Sequence, residues 1–357
     1  LKTGEFIKMK INEELINKVD SGNMWGLISN FPNHWKEVMK LTEDIDLKVD
    51  SSKIKNICFA GMGGSAIGAD LIRAYSLQSC RHPVQVIRHY EIPNYVDEHT
   101  LFIACSFSGN TEETLTALSS ALKKGAQIVG VTSGGELKKQ AIEHEFDYIQ
   151  IPGGMPPRAA LAYSFVPLFR IFQFLGFLNE SDKVLIDTYE LLKDGVSNYK
   201  DLDDNDALAL AQELNESLPI IYSDALMMEP VNLRWRGQIE ENSKMLVYGN
   251  LIPEMNHNEI VGWEHIAHLS GRLTVVMLKD KEDNNRVKKR MEIVKDLVMD
   301  QALSVIEITT IGESRLERLF SLVQLADWVS MYLALLNQID PTPIAKIDIL
   351  KSKLSEI

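Results

Sequence analysis

The run Leu101-Phe102-Ile103-Ala104-Cys105 passes directly into Ser106-Phe107-Ser108-Gly109-Asn110-Thr111-Glu112-Glu113-Thr114. A short apolar run, a cluster of hydroxyls around a glycine, and then two acidic residues read as a buried strand, a turn and a helix start. At a helix N-terminus the unpaired backbone N–H groups and the helix dipole both favour negative charge. The loop carries no basic residue, so it suits a compact phosphate monoester held by hydrogen bonds rather than a polyanion. The competing reading is a plain helix cap, with Ser108 or Asn110 as the capping residue and Glu113 assisting.

A second loop of the same kind lies upstream. Ile57-Cys58-Phe59-Ala60 runs into Gly61-Met62-Gly63-Gly64-Ser65-Ala66-Ile67-Gly68, and Ala69-Asp70-Leu71-Ile72 continues as a helix. Its glycines permit a tight turn and a close approach of ligand to bare backbone. Gly61, Gly63 and Ala66 also fit the relaxed dinucleotide fingerprint, which calls for an acidic residue about 20 positions on. Here the next strand, Val84 to Ile87, ends in Arg88, which leaves only an NADP variant open. Two strand–loop–helix anion sites in one sheet are a much stronger signal than either alone.

Outward from these loops, strand candidates recur at 56–60, 84–87, 101–105, 127–131 and 148–151, with helical text between them. Such alternation predicts a parallel α/β sheet whose ligands sit at the strand C-terminal ends. Residues 1–50 predict a helical segment in which Trp25, Leu27, Ile28 and Phe31 pack, and 51–180 a first α/β domain. The acidic stretch 181–206 reads as a solvated connector. A second domain over 207–338 follows, with strands expected at 219–222, 244–247, 273–278 and 305–308 and helices at 207–217, 229–242, 283–301 and 315–338. Residues 339–357 form a C-terminal helical segment. The second domain has no glycine-rich phosphate loop, so it is expected to supply catalytic groups and packing.

Composition narrows the class. The 357-residue chain carries a net charge of −13, with 45% hydrophobic and 24% charged residues, as in an ordinary globular protein. No basic face for nucleic acid is evident. A phosphorylated ligand must be held by local donors against the overall field. Three cysteines, Cys58, Cys80 and Cys105, without CxxC spacing suggest a reduced, cytoplasmic protein, with Cys58 and Cys105 as buried core thiols. No apolar stretch reaches the roughly 20 residues of a membrane span. The longest, Ala326 to Leu336, contains Asp327, Ser330 and Tyr332 and reads as a packed helix. The chain starts Leu1-Lys2-Thr3-Gly4-Glu5-Phe6, and the residues ahead of Met9 read as an appended remnant.

Gly63-Gly64-Ser65, the Ser106–Thr111 loop and Pro156-Pro157-Arg158 together resemble the sugar isomerase (SIS) fold family, and within it the bifunctional phosphoglucose/phosphomannose isomerases. The resemblance continues through Glu240-Glu241-Asn242-Ser243-Lys244, Pro253-Glu254-Met255-Asn256-His257-Asn258-Glu259 and Asp340-Pro341-Thr342-Pro343, so it covers almost the whole chain. It implies two tandem SIS-type doubly wound parallel-sheet domains with helical N- and C-terminal segments. The implied activity is interconversion of glucose 6-phosphate or mannose 6-phosphate with fructose 6-phosphate through a cis-enediol, without metal or cofactor. Non-catalytic SIS sugar-phosphate regulators are the rival class, but the text before the first strand shows no basic recognition helix. Other SIS sugar-phosphate isomerases are the rival enzymes.

The resemblance also assigns residues. Gly63, Gly64 and Ser65 line the sugar, and Ser106, Ser108 and Thr111 hold the phosphate. Glu241 is the base that moves the proton between C2 and C1. Arg158, stiffened by two prolines, steadies the enediolate with a planar, always-charged group. His257 opens the sugar ring and comes from the other subunit of a homodimer. Lys351 reaches the ring oxygen, with Lys346 the alternative, and Thr342 makes room for the C2 epimer. A zinc reading of His257, Glu259, Glu264, His265 and His268 competes. No HExxH pattern occurs there, and Ile260, Val261, Trp263, Ile266 and Leu269 mark a packed helix on which His265 and His268 are structural.

Overall fold

The computed structural model describes residues 10–269, 271–354 and 356; the segment ahead of Met9 lies outside them. Three helices open the chain: α1 (Glu13–Val19), α2 (Met24–Ser29) and α3 (Phe31–Leu41). The first sheet then builds from β1 (Asn56–Ala60), α4 (Gly63–Ser76), β2 (Val84–Ile87), β3 (Thr100–Ser106), α5 (Glu112–Lys123), β4 (Gln127–Thr132), α6 (Gly135–Glu143) and β5 (Asp147–Gln150). All its pairings are parallel, in the order β2-β1-β3-β4-β5. The strand order reverses between β1 and β3, and ligands of open α/β sheets bind at such a switch point. The loops after β1 and β3 are the two quoted above.

Helices α7 (Leu161–Phe174), α8 (Lys183–Tyr199) and α9 (Asp206–Leu214) lead to the second sheet. It comprises β6 (Leu218–Asp224), α10 (Glu229–Gln238), β7 (Tyr248–Ile252), the single turn α11 (Glu259–Gly262), β8 (Leu273–Lys279), α12 (Asn285–Val298) and β9 (Ser304–Thr309). Its order, β7-β6-β8-β9, repeats the first sheet's pattern, again all parallel. Helices α13 (Arg315–Leu336) and α14 (Ala345–Leu354) close the chain.

Strand residues alternate between two buried faces, which explains their near-continuous apolar text. Ile57, Phe59, Leu101 and Ile103 face one side of the first sheet, and Cys58, Ala60, Phe102 and Ala104 the other. The first of these faces does not form a core of its own. It merges with α3, α7, α13 and the Ile221, Val276 and Leu278 face of the second sheet into one hydrophobic cluster. At its centre Trp35, Phe165 and Phe320 pack together, with Trp35 stacked on Phe165 and edge-on to Phe320. Helix α13 is apolar enough in composition to cross a membrane, but 94% of its apolar window is buried between the sheets.

Two expectations are corrected. The strand expected at 244–247 lies instead at Tyr248–Ile252, because Lys244 adopts a left-handed backbone (φ 58°) that ends the preceding helical turn, and Leu246 points outward, 80% exposed. The acidic stretch 181–206 is not a solvated thread. It carries α8, whose Leu185, Leu192 and Tyr199 are buried, and it is tied to both halves by Trp35 Nε1 donating to Leu185 O (3.0 Å) and Gln324 Nε2 to Leu192 O (2.7 Å).

The second sheet's own switch point is filled by carboxylates. Asp224 accepts from Leu226 N (2.7 Å) and Met227 N (3.0 Å), so its carboxylate takes up the free backbone donors of the turn after β6. Asp280 accepts from Arg318 Nε (2.8 Å) and Thr310 Oγ1 (2.6 Å), and Asp283 from Asp280 N (2.8 Å). Burial, together with the neighbouring charges of Asp224 and Asp280, pushes the Asp283 carboxyl up to about 6, against a bond from Asp280 N and the charge of Lys288. A raised carboxyl favours the folded state while protonated and costs stability as pH rises through the folded value. Asp283→Asn keeps an acceptor for Asp280 N but cannot ionise. It should therefore stabilise the protein above about pH 6 by up to roughly 2–3 kcal/mol, with the gain vanishing below about pH 4. Thermal melts of both proteins at pH 4 and pH 8 check this; an equal shift at both pH values would contradict it.

Candidate active site

The first site element is the β3–α5 turn. Ser106 Oγ and Thr111 Oγ1 lie 2.8 Å apart, and Thr111 N donates to Ser106 Oγ (3.3 Å). Neither Ser108 nor Asn110 caps α5. Ser108 Oγ accepts from Asn110 N (3.3 Å), and Asn110 Oδ1 accepts from Glu136 N (3.0 Å), on the next helix. Thr111 occupies the N-cap position of α5, but its hydroxyl pairs with Ser106 instead of capping, so among the described residues no side chain accepts from the first-turn donors of the helix. Gly109 is required here: its φ is +73°, and a Cβ would stand 1.8 Å from Gly134 O.

The glycine loop after β1 abuts this turn. Ser65 Oγ accepts from Phe107 N (3.0 Å), so the serine expected to line the sugar also locks one loop to the other. Gly63 and Gly64 open onto a cleft of about 180 Å³, shared with Ile67, Arg88, Arg158, Leu233, Arg234, Gly237, Gln238 and Glu241. A side chain on Gly64 would collide with Pro157 O at 2.6 Å, which keeps Arg158 close to the start of α4. The cleft is therefore walled by α4 of the first domain and α10 of the second, with Arg88 and Arg158 at its sides. Arg73 Nη2 adds a 2.6 Å bridge to Glu229 across the same boundary.

Opposite the glycines, α10 does not end as an α-helix. Residues Ile239–Ser243 form a π-turn, an arrangement that inserts an extra residue and recurs at functional sites. It turns Asn242 and Ser243 inward, fully buried, and leaves Glu241 about one-third exposed at the cleft. Buried groups of α13 fix the turn. Asn242 Nδ2 donates to Ser330 Oγ (2.9 Å), Ser243 Oγ to Ser330 O (2.8 Å), and Gln238 Nε2 to Asp327 Oδ1 (2.7 Å).

Arg158 joins these parts. It is 5% exposed and donates from Nε to Asn242 Oδ1 (2.7 Å), from Nη1 to Glu241 Oε2 (3.3 Å), and from Nη2 to Pro341 O (2.7 Å) and Thr342 O (2.9 Å). Burial pushes its pKa down while the Glu241 carboxylate pushes it back up. Arg234 supports it from behind, donating from Nη2 to Arg158 O (3.0 Å) and Asp327 Oδ2 (2.8 Å). The arrangement places a carboxylate able to accept a proton beside a fixed cation, at the mouth of a cleft adjoining a hydroxyl loop.

The remaining candidates are not brought into this cleft. His257 ends a short turn after β7 and is exposed. Lys346 and Lys351 lie on α14, none of whose residues is buried. Thr342 meets Arg158 through its carbonyl, while its hydroxyl packs against Gly22. Glu259 accepts from Tyr222 OH, Tyr248 OH (2.9 Å) and Asn250 Nδ2, and His265 and His268 are exposed. Among the described residues no group of three or more His, Cys, Asp or Glu side chains could hold a metal ion. The sequence reading missed Asn242, Arg234, Gln238, Asp327 and Ser330 as site residues. Polar groups embedded in the apolar text of α13 and α10 were the available signal, since buried charges need partners. Arg88, considered for a nucleotide 2′-phosphate, instead pairs with the buried Asp70.

Residues 52–167 match the SIS domain family, and residues 203–354 match the bacterial phospho-glucose isomerase C-terminal SIS domain. A bifunctional phosphoglucose/phosphomannose isomerase of Caldicellulosiruptor bescii is 46% identical over 94% of this chain and 99% of its own length. The protein of the same description in Aquifex aeolicus is 33% identical over 90% of this chain and 99% of its own. In three dimensions a hypothetical protein of Thermus thermophilus superposes with a TM-score of 0.75, covering 96% of this chain and 92% of that one at 16% identity, a likeness of fold alone.

If the hydroxyl loop holds a phosphate, Thr111→Ala and Ser108→Ala each remove hydrogen bonds present in ground and transition states alike. KM for a phosphorylated substrate should then rise roughly tenfold to hundredfold with kcat little changed. Steady-state kinetics check this, and an unchanged KM in both variants would remove the loop from the site.

Proposed function

The chain belongs to the bifunctional phosphoglucose/phosphomannose isomerase family, and from that premise we propose how its residues interconvert glucose 6-phosphate or mannose 6-phosphate with fructose 6-phosphate. One observation carries the reading: Glu241 stands 3.3 Å from Nη1 of the buried Arg158, in a cleft faced by Gly63 and Gly64. Aldose–ketose isomerisation needs a carboxylate to take a proton from carbon and a fixed cation for the charge that develops on oxygen.

In the proposed path the phosphate rests on Ser106, Ser108, Thr111 and the start of α5, and the open-chain sugar lies along Gly63, Gly64 and Ser65. Glu241 takes the C2 proton. The C–H electron pair becomes the C1–C2 double bond, and the carbonyl pair moves onto O1, beside Arg158. The O2 proton passes to O1 across the cis-enediol, and Glu241 returns its proton to C1 as a carbonyl forms at C2. One base serves both epimers if the C2–C3 bond rotates to offer either face of C2. This shuttle needs no metal or cofactor.

Ring opening is assigned to His257 and Lys351, with Lys346 as the alternative lysine. All three are exposed in a single chain, which fits a homodimer in which His257 completes the neighbouring site. A non-catalytic sugar-phosphate sensor would have no use for a carboxylate held against a buried guanidinium. The free thiols at Cys58, Cys80 and Cys105 suit a cytoplasmic enzyme; burial pushes Cys105 up to about 12 and leaves it unreactive.

Glu241→Gln keeps shape and hydrogen bonding but cannot accept a proton from carbon. In that variant kcat should fall by about 10² to 10⁴ for both aldose phosphates, with little change in KM, and deuterium at C2 should cease to exchange with solvent. Subunit exchange with His257→Ala protein should restore part of the activity. Loss of only one epimer's reaction would sink the single-base path, and no recovery despite verified exchange would return His257 to its own subunit.

A further inference from the structure

We infer that Asn242, held in turn by Ser330, is a positioning residue that braces Arg158 through Nε, so that its one free donor, on Nη1, is presented beside the base; the inference rests on the isomerase reading above. A guanidinium has five N–H groups. Among the described residues four are engaged: Nε with Asn242 Oδ1, both Nη2 protons with Pro341 O and Thr342 O, and one Nη1 proton with Glu241 Oε2. One remains, and it is on Nη1, the nitrogen beside Glu241. The reacting sugar oxygen therefore meets one donor in one place.

The contact with Glu241 is single and long, at 3.3 Å. An unrestrained arginine would favour a bidentate fork on the carboxylate, which is stronger and would tie up both oxygens. Every such fork uses Nη2, whose two protons go to Pro341 O and Thr342 O, and Asn242 on Nε holds the guanidinium in the plane that keeps this pairing. Its amide orientation is itself set, because Oδ1 faces a donor that cannot accept, while Nδ2 donates to Ser330 Oγ (2.9 Å) and Ser330 Oγ donates to Asp327 O (2.8 Å). Asn242 and Ser330 are both fully buried. Because the π-turn places Asn242 next to Glu241 in sequence yet on the inner face, one turn sets both the base and the brace of its cation.

The test compares wild-type protein with Asn242→Ala, Ser330→Ala, Arg158→Lys and the double variant Arg158→Lys/Asn242→Ala, each checked for its thermal midpoint. Lysine has no Nε for Asn242 to hold. Asn242→Ala should lower kcat roughly tenfold to hundredfold with KM within about twofold, and Ser330→Ala should act in the same direction more weakly. In the Arg158→Lys background Asn242→Ala should cost less than about twofold further. An equal loss in both backgrounds, or unchanged kcat in both Asn242→Ala and Ser330→Ala, overturns the inference. Wild-type protein without isomerase activity would instead overturn the reading on which it rests. Should Asn242→Ala fail to fold, Ser330→Ala alone decides: unchanged kcat overturns the inference, and a lowered kcat at unchanged KM supports it.

Discussion

The guanidinium of Arg158 is the point on which the site depends. Withdrawing a charge from water costs several kcal/mol unless its hydrogen-bonding capacity is met. Here four of its five N–H groups are met by two separate parts of the chain, the π-turn of the second domain and the Pro341–Thr342 segment, while the buried Arg234–Asp327 pair holds the backbone of Arg158. Removing one partner would leave a buried charge uncompensated, which is more damaging than losing an ordinary hydrogen bond.

That arrangement is transmitted by α13. The helix lies in the cluster joining the two sheets, and its inward polar residues, Asp327 and Ser330, are the ones bonded to α10 and the π-turn. The apolar positions of α13 merge the sheets' cores, while its polar positions hold the end of α10 and the π-turn. The two sheets share a topology but not a task. The first offers open helix donors at its switch point; the second fills its own with Asp224 and turns its π-turn carboxylate toward the neighbouring cleft.

Much of the fold was legible because buried parallel strands have a plain signature. The strands β1 to β6, β8 and β9 fall where apolar runs meet turn residues. Strand β7 was misplaced because Lys244-Met245-Leu246-Val247 has the more strand-like text, whereas the edge strand Tyr248–Ile252 contains Gly249 and Asn250 and pairs with β6 alone. The stretch 181–206 was misread because charge on the outer face of α8 hid the spacing of Leu185, Thr188 and Leu192 on its inner face. At the site, Arg158 and Glu241 could be named from the motifs that carry them. Asn242 stands in the same motif as Glu241, but its bonds to Arg158 and Ser330, like those of Asp327, could not be read, since a polar residue inside a helix reveals its partner only when distant segments meet. His257 and the lysines of α14 stand at the surface of a single chain, where intrachain packing says nothing of their role.

The central claim is that hydroxyl loop, glycine loop and π-turn converge on one sugar phosphate. A crystal structure with a hydroxamate mimic of the enediolate, carrying the phosphate, tests it most directly. The account predicts phosphate oxygens within about 2.6–3.2 Å of the Thr111 hydroxyl and the first N–H groups of α5, with a Glu241 oxygen over the planar C–N pair that stands for C2 and C1 and Arg158 Nη1 on the mimic's oxygen. A ligand whose phosphate lay elsewhere, or whose planar group stood out of reach of Glu241, would contradict it.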